Sequence, residues 1–151
     1  ENTMRMMSIA SGSSGNCIYI GSDNTHILID AGVSVKDLEG LAAADLSVND
    51  ISAVFVTHEH SDHIKGLGVL TRKDKVSVYS TRGTRDGIFE AGTLGELPGE
   101  LFRVIEPDSD ICIDDLQIHA FRVSHDAKEP VAYTVTCGEK KGGRDNGSRI
   151  L

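Results

Sequence analysis

Along this chain, short runs of β-branched and aliphatic residues give way repeatedly to stretches whose apolar positions recur at helical spacing. Residues 5–10 form an apolar run closed by the turn-rich Ser11-Gly12-Ser13-Ser14-Gly15-Asn16. Residues 17–20 and 26–29 are β-branched runs joined by Gly21-Ser22-Asp23-Asn24, a hairpin signal. Val35, Leu38, Leu41, Ala42 and Leu46 then follow helical spacing behind Ser34, a natural N-cap. Residues 51–57 predict a strand centred on Val54-Phe55-Val56. Ser61 is placed to cap the next helix, which carries Asp62 and His63 in its first turn and continues through Ile64, Leu67 and Leu70. A strand over 76–79 and a helix over 81–91 follow, then strands over 101–105, 111–113, 116–123 and 131–137. Residues 138–151 lose the pattern at Gly142-Gly143 and Asn146-Gly147 and read as an irregular C-terminal tail, or at most a poorly formed turn and strand. Mixed strands and helices with long parallel connections predict an α/β fold, and 151 residues make one domain over 1–151.

Composition narrows the class without deciding it. Aromatic residues are 5% and Trp is absent, so the core is built mainly from Val, Ile, Leu and Ala. A formal charge of −8 offers no basic face for neutralising phosphates. Bound divalent metals could supply that positive charge instead. Cys17, Cys112 and Cys137 are odd in number and form no CxxC pair, which points to reduced, buried thiols. No segment resembles a signal peptide or a membrane span, so a cytoplasmic setting and no membrane partner are expected.

The chemistry is concentrated in Thr57-His58-Glu59-His60-Ser61-Asp62-His63. In extended chain, residues i and i+2 share a side, so His58 and His60 face one way just past a strand end and Glu59 faces the other. The helix that begins after them aims Asp62 and His63 at nearly the same point. Imidazoles with a carboxylate suit zinc, manganese or iron. This composition, shuffled, would produce HxHxDH in roughly one sequence in a thousand.

HxHxDH after an apolar strand resembles the signature of the metallo-β-lactamase superfamily. Ile29-Asp30-Ala31-Gly32 resembles its upstream strand-end aspartate, and His125 follows a strand where the next metal-binding histidine is expected. The closer resemblance is to the bacterial WalJ/YycJ family, exonuclease-type members of that fold. It is carried by Ser11-Gly12-Ser13-Ser14-Gly15-Asn16, by Val123-Ser124-His125-Asp126-Ala127 and by Glu129-Pro130-Val131-Ala132-Tyr133, and it covers about residues 5–137. The resemblance implies an αββα sandwich, of which this chain supplies the first half and part of the second sheet. It also implies two divalent metals, zinc before manganese or iron. His58, His60 and His125 would hold one metal, and Asp62 and His63 would contribute to the other. Asp30 would brace the metal loop from behind, and Ser13, Ser14 and Asn16 would line the substrate cleft. Asp62 would also orient a metal-activated hydroxide, and the family favours phosphodiester bonds in DNA.

The superfamily's late histidine has no counterpart after His125, and Asp145, before Asn146-Gly147, only faintly resembles its bridging aspartate. The chain therefore reads as an incomplete copy, expected to bind fewer than two metals. Another hydrolase of the same scaffold, acting on a lactam, thioester or small ester, and an inactive fragment remain the alternatives. His26 and His119 read as ordinary surface histidines, and Asp126 as either an imidazole partner or a plain loop residue. If one covering layer is missing, the strands around Val54 and Leu28 would expose an apolar face and protomers would pair. A second sheet folded back within the protomer, giving a compact monomer, is the competing expectation.

Overall fold

The computed structural model describes residues 4–13, 15–124, 126–138 and 148–150. A six-stranded mixed sheet, in spatial order β1-β2-β3-β4-β5-β6, lies against a four-stranded sheet, in order β10-β9-β8-β7. The first comprises β1 (Arg5–Ala10), β2 (Cys17–Gly21), β3 (His26–Ile29), β4 (Ala53–Phe55), β5 (Ser77–Ser80) and β6 (Phe102–Val104). Its β1, β2 and β3 pair antiparallel, and β3 to β6 pair parallel. The second, antiparallel throughout, comprises β7 (Asp110–Ile113), β8 (Leu116–Arg122), β9 (Val131–Cys137) and β10 (Ser148–Ile150). β10 is a three-residue strand inside the segment expected to be irregular or at most a poorly formed turn and strand.

Period-2 alternation distributes the apolar residues over two cores. Ile27, Ile29, Ala53 and Phe55 meet Leu116, Ile118, Ala120, Val131, Tyr133 and Val135 between the sheets. Leu28, Val54 and Val56 point the other way, under Leu38, Leu41, Ile64, Leu67, Leu70 and Ile88. A sheet covered on both faces has no need of polar alternation, which is why these strands read as continuous apolar runs. The sheet face expected to lie open is thus covered: Ile27, Ala53 and Phe55 are at most 1% exposed within one chain. The folded-back second sheet is what covers it, and the argument for pairing through these strands loses its basis.

The helices depart from expectation in instructive ways. Ser34 does cap a helix, its hydroxyl accepting from the Asp37 N–H at 3.4 Å, but Val35–Ala44 is a 3-10 helix. Leu38 and Leu41, three apart, are the buried positions among its described side chains, as a three-residue turn requires. The helix expected to run through Leu70 is broken into α1 (Ser61–Ile64) and α2 (Leu67–Arg72), and His60 rather than Ser61 occupies the N-cap position. The break follows from hydrogen bonding. The carbonyls of Asp62 and His63 accept from Asn16 and Ala31, and the Gly66 N–H turns to the Ala31 carbonyl at 2.7 Å. α3 (Arg82–Ala91) is capped by Thr81, whose hydroxyl accepts from the Thr84 N–H. His26 is half-buried with Nδ1 2.7 Å from the Tyr19 hydroxyl, so it is not the surface histidine expected; His119 lies nearer the surface, its side chain 41% exposed beside Asp110. No helix among the described residues is long and apolar enough to cross a membrane.

The three thiols differ sharply in access. Cys17 is fully buried and burial pushes its pKa up to about 12, with the Asp30 charge adding to the rise; Cys112 is exposed. The thiolate is the reactive form, so iodoacetamide at about pH 8 is expected to modify Cys112 and spare Cys17 until the protein is unfolded. Mass mapping of the native-state product checks this, and Cys17 labelling as fast as Cys112 would mean that β2 is not sealed.

Candidate metal centre

Three loops at one end of the first sheet weave the site together through their main chains. Asn16 donates its N–H to the Asp62 carbonyl at 2.8 Å and accepts from Gly32 at 2.8 Å, and Ala31 donates to the His63 carbonyl at 2.9 Å. Gly32 permits this approach. A Cβ there would stand 1.7 Å from the Asp62 carbonyl oxygen, so any side chain must push the histidine loop away. Asp30 closes β3 in the left-handed conformation, φ 63°, which a short polar side chain tolerates better than most.

Asp30 is the hub. It is 4% exposed, and its carboxylate accepts three hydrogen bonds. They come from the Thr57 N–H at 2.7 Å, the Thr57 hydroxyl at 2.8 Å and His63 Nδ1 at 2.6 Å. Burial pushes the Asp30 carboxyl above its ordinary range, against the pull of these bonds. On His63, burial pulls the imidazole down, but the Asp30 bond and the charges of Asp30 and Asp62 overcome it, and the net direction is up. The proton on His63 Nδ1 is therefore held toward Asp30. Thr57 extends the chain of bonds: its only hydroxyl proton goes to Asp30, so at 2.9 Å it accepts from His58 Nδ1. Both rings are thereby assigned Nδ1–H tautomers, with Nε2 as the lone-pair nitrogen. A carboxylate or hydroxyl behind the imidazole is the usual way to aim a metal ligand.

The rings lie close together. The His58 centroid is 4.6 Å from that of His60 and 4.1 Å from that of His63. Asp62 Oδ2 stands 3.7 Å from His63 Nε2 and accepts from Asn16 Nδ2 at 3.1 Å. Among the described residues, however, no three His, Cys, Asp or Glu side chains already form a cluster able to hold a metal ion. The donor set itself, three imidazoles and a carboxylate with two Nδ1 atoms committed elsewhere, has the chemistry a borderline divalent metal prefers. His58 and His63, with Asp30 and Thr57 behind them, floor a cavity of about 370 Å³ walled by Ala10, Ile18, Val123 and Pro130.

Of the other expected site residues, Asn16 lines this cavity but acts mainly as a brace, its side chain also holding the Asp62 and Gly12 carbonyls. Ser13, expected to line the cleft, is exposed and is not among the residues lining this cavity; Ser11, from the same loop, lines it instead. Asp126 is exposed. Ser14, His125 and Asp145 lie outside the described residues. Thr57 is the functional residue that sequence reasoning passed over. Its signal was a hydroxyl closing the apolar run Ala53-Val54-Phe55-Val56, directly before the first histidine of the motif.

Residues 10–131 match the metallo-beta-lactamase superfamily. Exodeoxyribonuclease YycJ of Bacillus anthracis is 41% identical over 134 residues, covering 88% of this chain and 50% of that protein. Exodeoxyribonuclease WalJ of Streptococcus pneumoniae serotype 2 is 37% identical over 126 residues, 83% of this chain and 47% of that one. The chain thus spans about half the length of these curated relatives. Among solved structures, BJP-1, a subclass B3 metallo-beta-lactamase of Bradyrhizobium japonicum, superposes with a TM-score of 0.75 at 15% identity, over 100% of this chain and 60% of that one. At that identity the likeness speaks for the fold alone.

Proposed function

This chain belongs to the metallo-beta-lactamase superfamily, and from that premise we propose that its histidine loop holds divalent metal for hydrolysis of phosphodiester bonds in nucleic acid, with DNA as the substrate. The observation that carries the reading is the bonded series Asp30–Thr57–His58 together with Asp30–His63, which aims two imidazoles from one buried carboxylate. We assign His58 and His60 to one metal, together with His125; Asp62 and His63 would contribute to a second where one is bound, with Asp145 the candidate bridge. Zinc suits these donors first, manganese or iron next. Such metals, when bound, acidify water and offset charge developing on the scissile group.

The chain's own residues do the orienting. Asp30 keeps the Nδ1 proton on His63, Thr57 keeps it on His58, and Asn16 holds the Asp62 carboxylate beside His63. Asp62 orients the attacking water besides ligating. The apolar walls narrow the approach of bulk solvent, which strengthens every charge interaction inside. The choice of DNA rests on the names of the two relatives, both exodeoxyribonucleases. Three free cysteines, two of them buried, fit a reducing, cytoplasmic setting.

A second reading, hydrolysis of a lactam, thioester or small ester, is favoured by one observation: no Lys or Arg is among the side chains described as lining the cavity. The test is an assay of end-labelled single- and double-stranded DNA beside a chromogenic lactam, with zinc or manganese and again after chelation. Metal-dependent release of nucleotides supports the nuclease reading. Lactam turnover without nucleotide release replaces it with the second.

A further inference from the structure

We infer that Glu59, the residue between two proposed metal ligands, is a positioning residue that locks the 126–130 segment and α3 onto the histidine loop. The inference rests on the metal reading above. Alternation turns the Glu59 side chain away from the side that His58 and His60 share, and it is not left in solvent there. Its Oε2 accepts the Lys128 N–H at 3.0 Å. Its Oε1 is shielded from solvent and has no hydrogen-bond partner among the described residues. A buried carboxylate oxygen left unpaired costs stability, a penalty that a truncated side chain here would not carry.

The seat is built for it on α3. A Cβ at Gly87 would lie 2.8 Å from Glu59 Cγ and 3.1 Å from Cδ, so only glycine lets the carboxylate pack there. One turn earlier, the Gly83 N–H donates to Glu129 Oε1 at 2.8 Å, and the Thr81 and Thr84 hydroxyls both donate to the Glu129 carbonyl. Lys128 Nζ pairs with Glu90 on the same helix. On the side nearer the cavity, the Val131 N–H donates to the Thr57 carbonyl at 3.0 Å. The 126–130 segment is thus pinned to α3 at one edge and to the histidine loop at the other. Glu59 is the pin that comes from inside the histidine motif. The same segment leads into Pro130 and Val131, which line the cavity. Through it, one side chain that touches no ligand sets both the pitch of residues 58–60 and the wall facing them.

Cobalt(II) is the probe, because its visible absorption reports ligand geometry as well as occupancy. Glu59→Ala is expected to weaken cobalt binding by about tenfold or more, to alter the visible spectrum of the bound ion, and to speed exchange of the Lys128 amide in the metal-free protein. Glu59→Gln, whose amide oxygen can still accept from Lys128, is expected to restore the spectrum and the slow exchange; a purely structural role would lower the melting temperature without moving the spectrum. If Glu59→Ala does not fold, Gly87→Ala carries the test. Its methyl intrudes on Glu59 while alanine favours the helix, and the same spectral change is expected. Cobalt affinity and spectrum unchanged in these variants overturn the inference alone. A wild-type chain that takes up no cobalt overturns the metal reading and this inference with it.

Discussion

Replacing His58 and His60 together by alanine is expected to leave a folded protein with no tightly bound metal. The two imidazoles are two of the three ligands assigned to one metal, and a dication held by a single remaining side chain competes poorly with water. The fold should survive. Neither ring sits in the two apolar cores, and the main-chain weave that fixes the loop runs through residues 16, 31, 32, 62, 63 and 66 rather than through these side chains. Elemental analysis after exhaustive dialysis, alongside a thermal melt, measures both halves. Unchanged zinc or manganese in a cooperatively melting double variant would remove His58 and His60 from the ligand set.

Asp30→Ala is expected to damage stability and metal binding at once. Its carboxylate accepts from both Thr57 donors and from His63, and it is almost wholly buried. Truncation strands the Thr57 N–H and releases two rings, at a cost of about 3–5 kcal/mol by analogy with other broken buried pairs. The lost orientation should weaken metal binding by about 10- to 100-fold. Asp30→Asn separates the two effects. It tolerates the left-handed backbone and keeps one oxygen for the Thr57 N–H, but turns an NH₂ toward the Thr57 hydroxyl and His63 Nδ1. Stability closer to wild type with metal affinity still reduced is the expected pattern. Urea unfolding and metal titration of the two variants check it, and an Asp30→Ala protein as stable as wild type would deny Asp30 its place as hub.

Much of the architecture was legible because it rests on short-range rules. Continuous β-branched and apolar runs around Leu28 and Val54 predicted strands, and the cap Ser34 was readable from one hydroxyl ahead of an apolar period. HxHxDH named its own chemistry, since two imidazoles two apart, followed by a carboxylate and a third imidazole, share few other purposes. Even Asp30 was marked, though only through family resemblance, as the residue behind the loop.

What stayed hidden was every choice of partner across long stretches of chain. The Leu67–Leu70 periodicity continued a helix that the structure breaks, because Asn16 and Ala31 claim the carbonyls of Asp62 and His63. Glu59 read only as facing away from His58 and His60, whereas α3 offers it a glycine seat and Lys128 an amide proton. Thr57 looked like the last residue of a strand until Asp30 and His58 stood on either side of its hydroxyl. Whether the first sheet was covered turned on β8 and β9 folding back over it. Propensity, period and capping act over three or four residues and can be read from one stretch of sequence. Hydrogen-bond pairing and burial depend on which distant segments come within about 3 Å, and only the packed chain decides that.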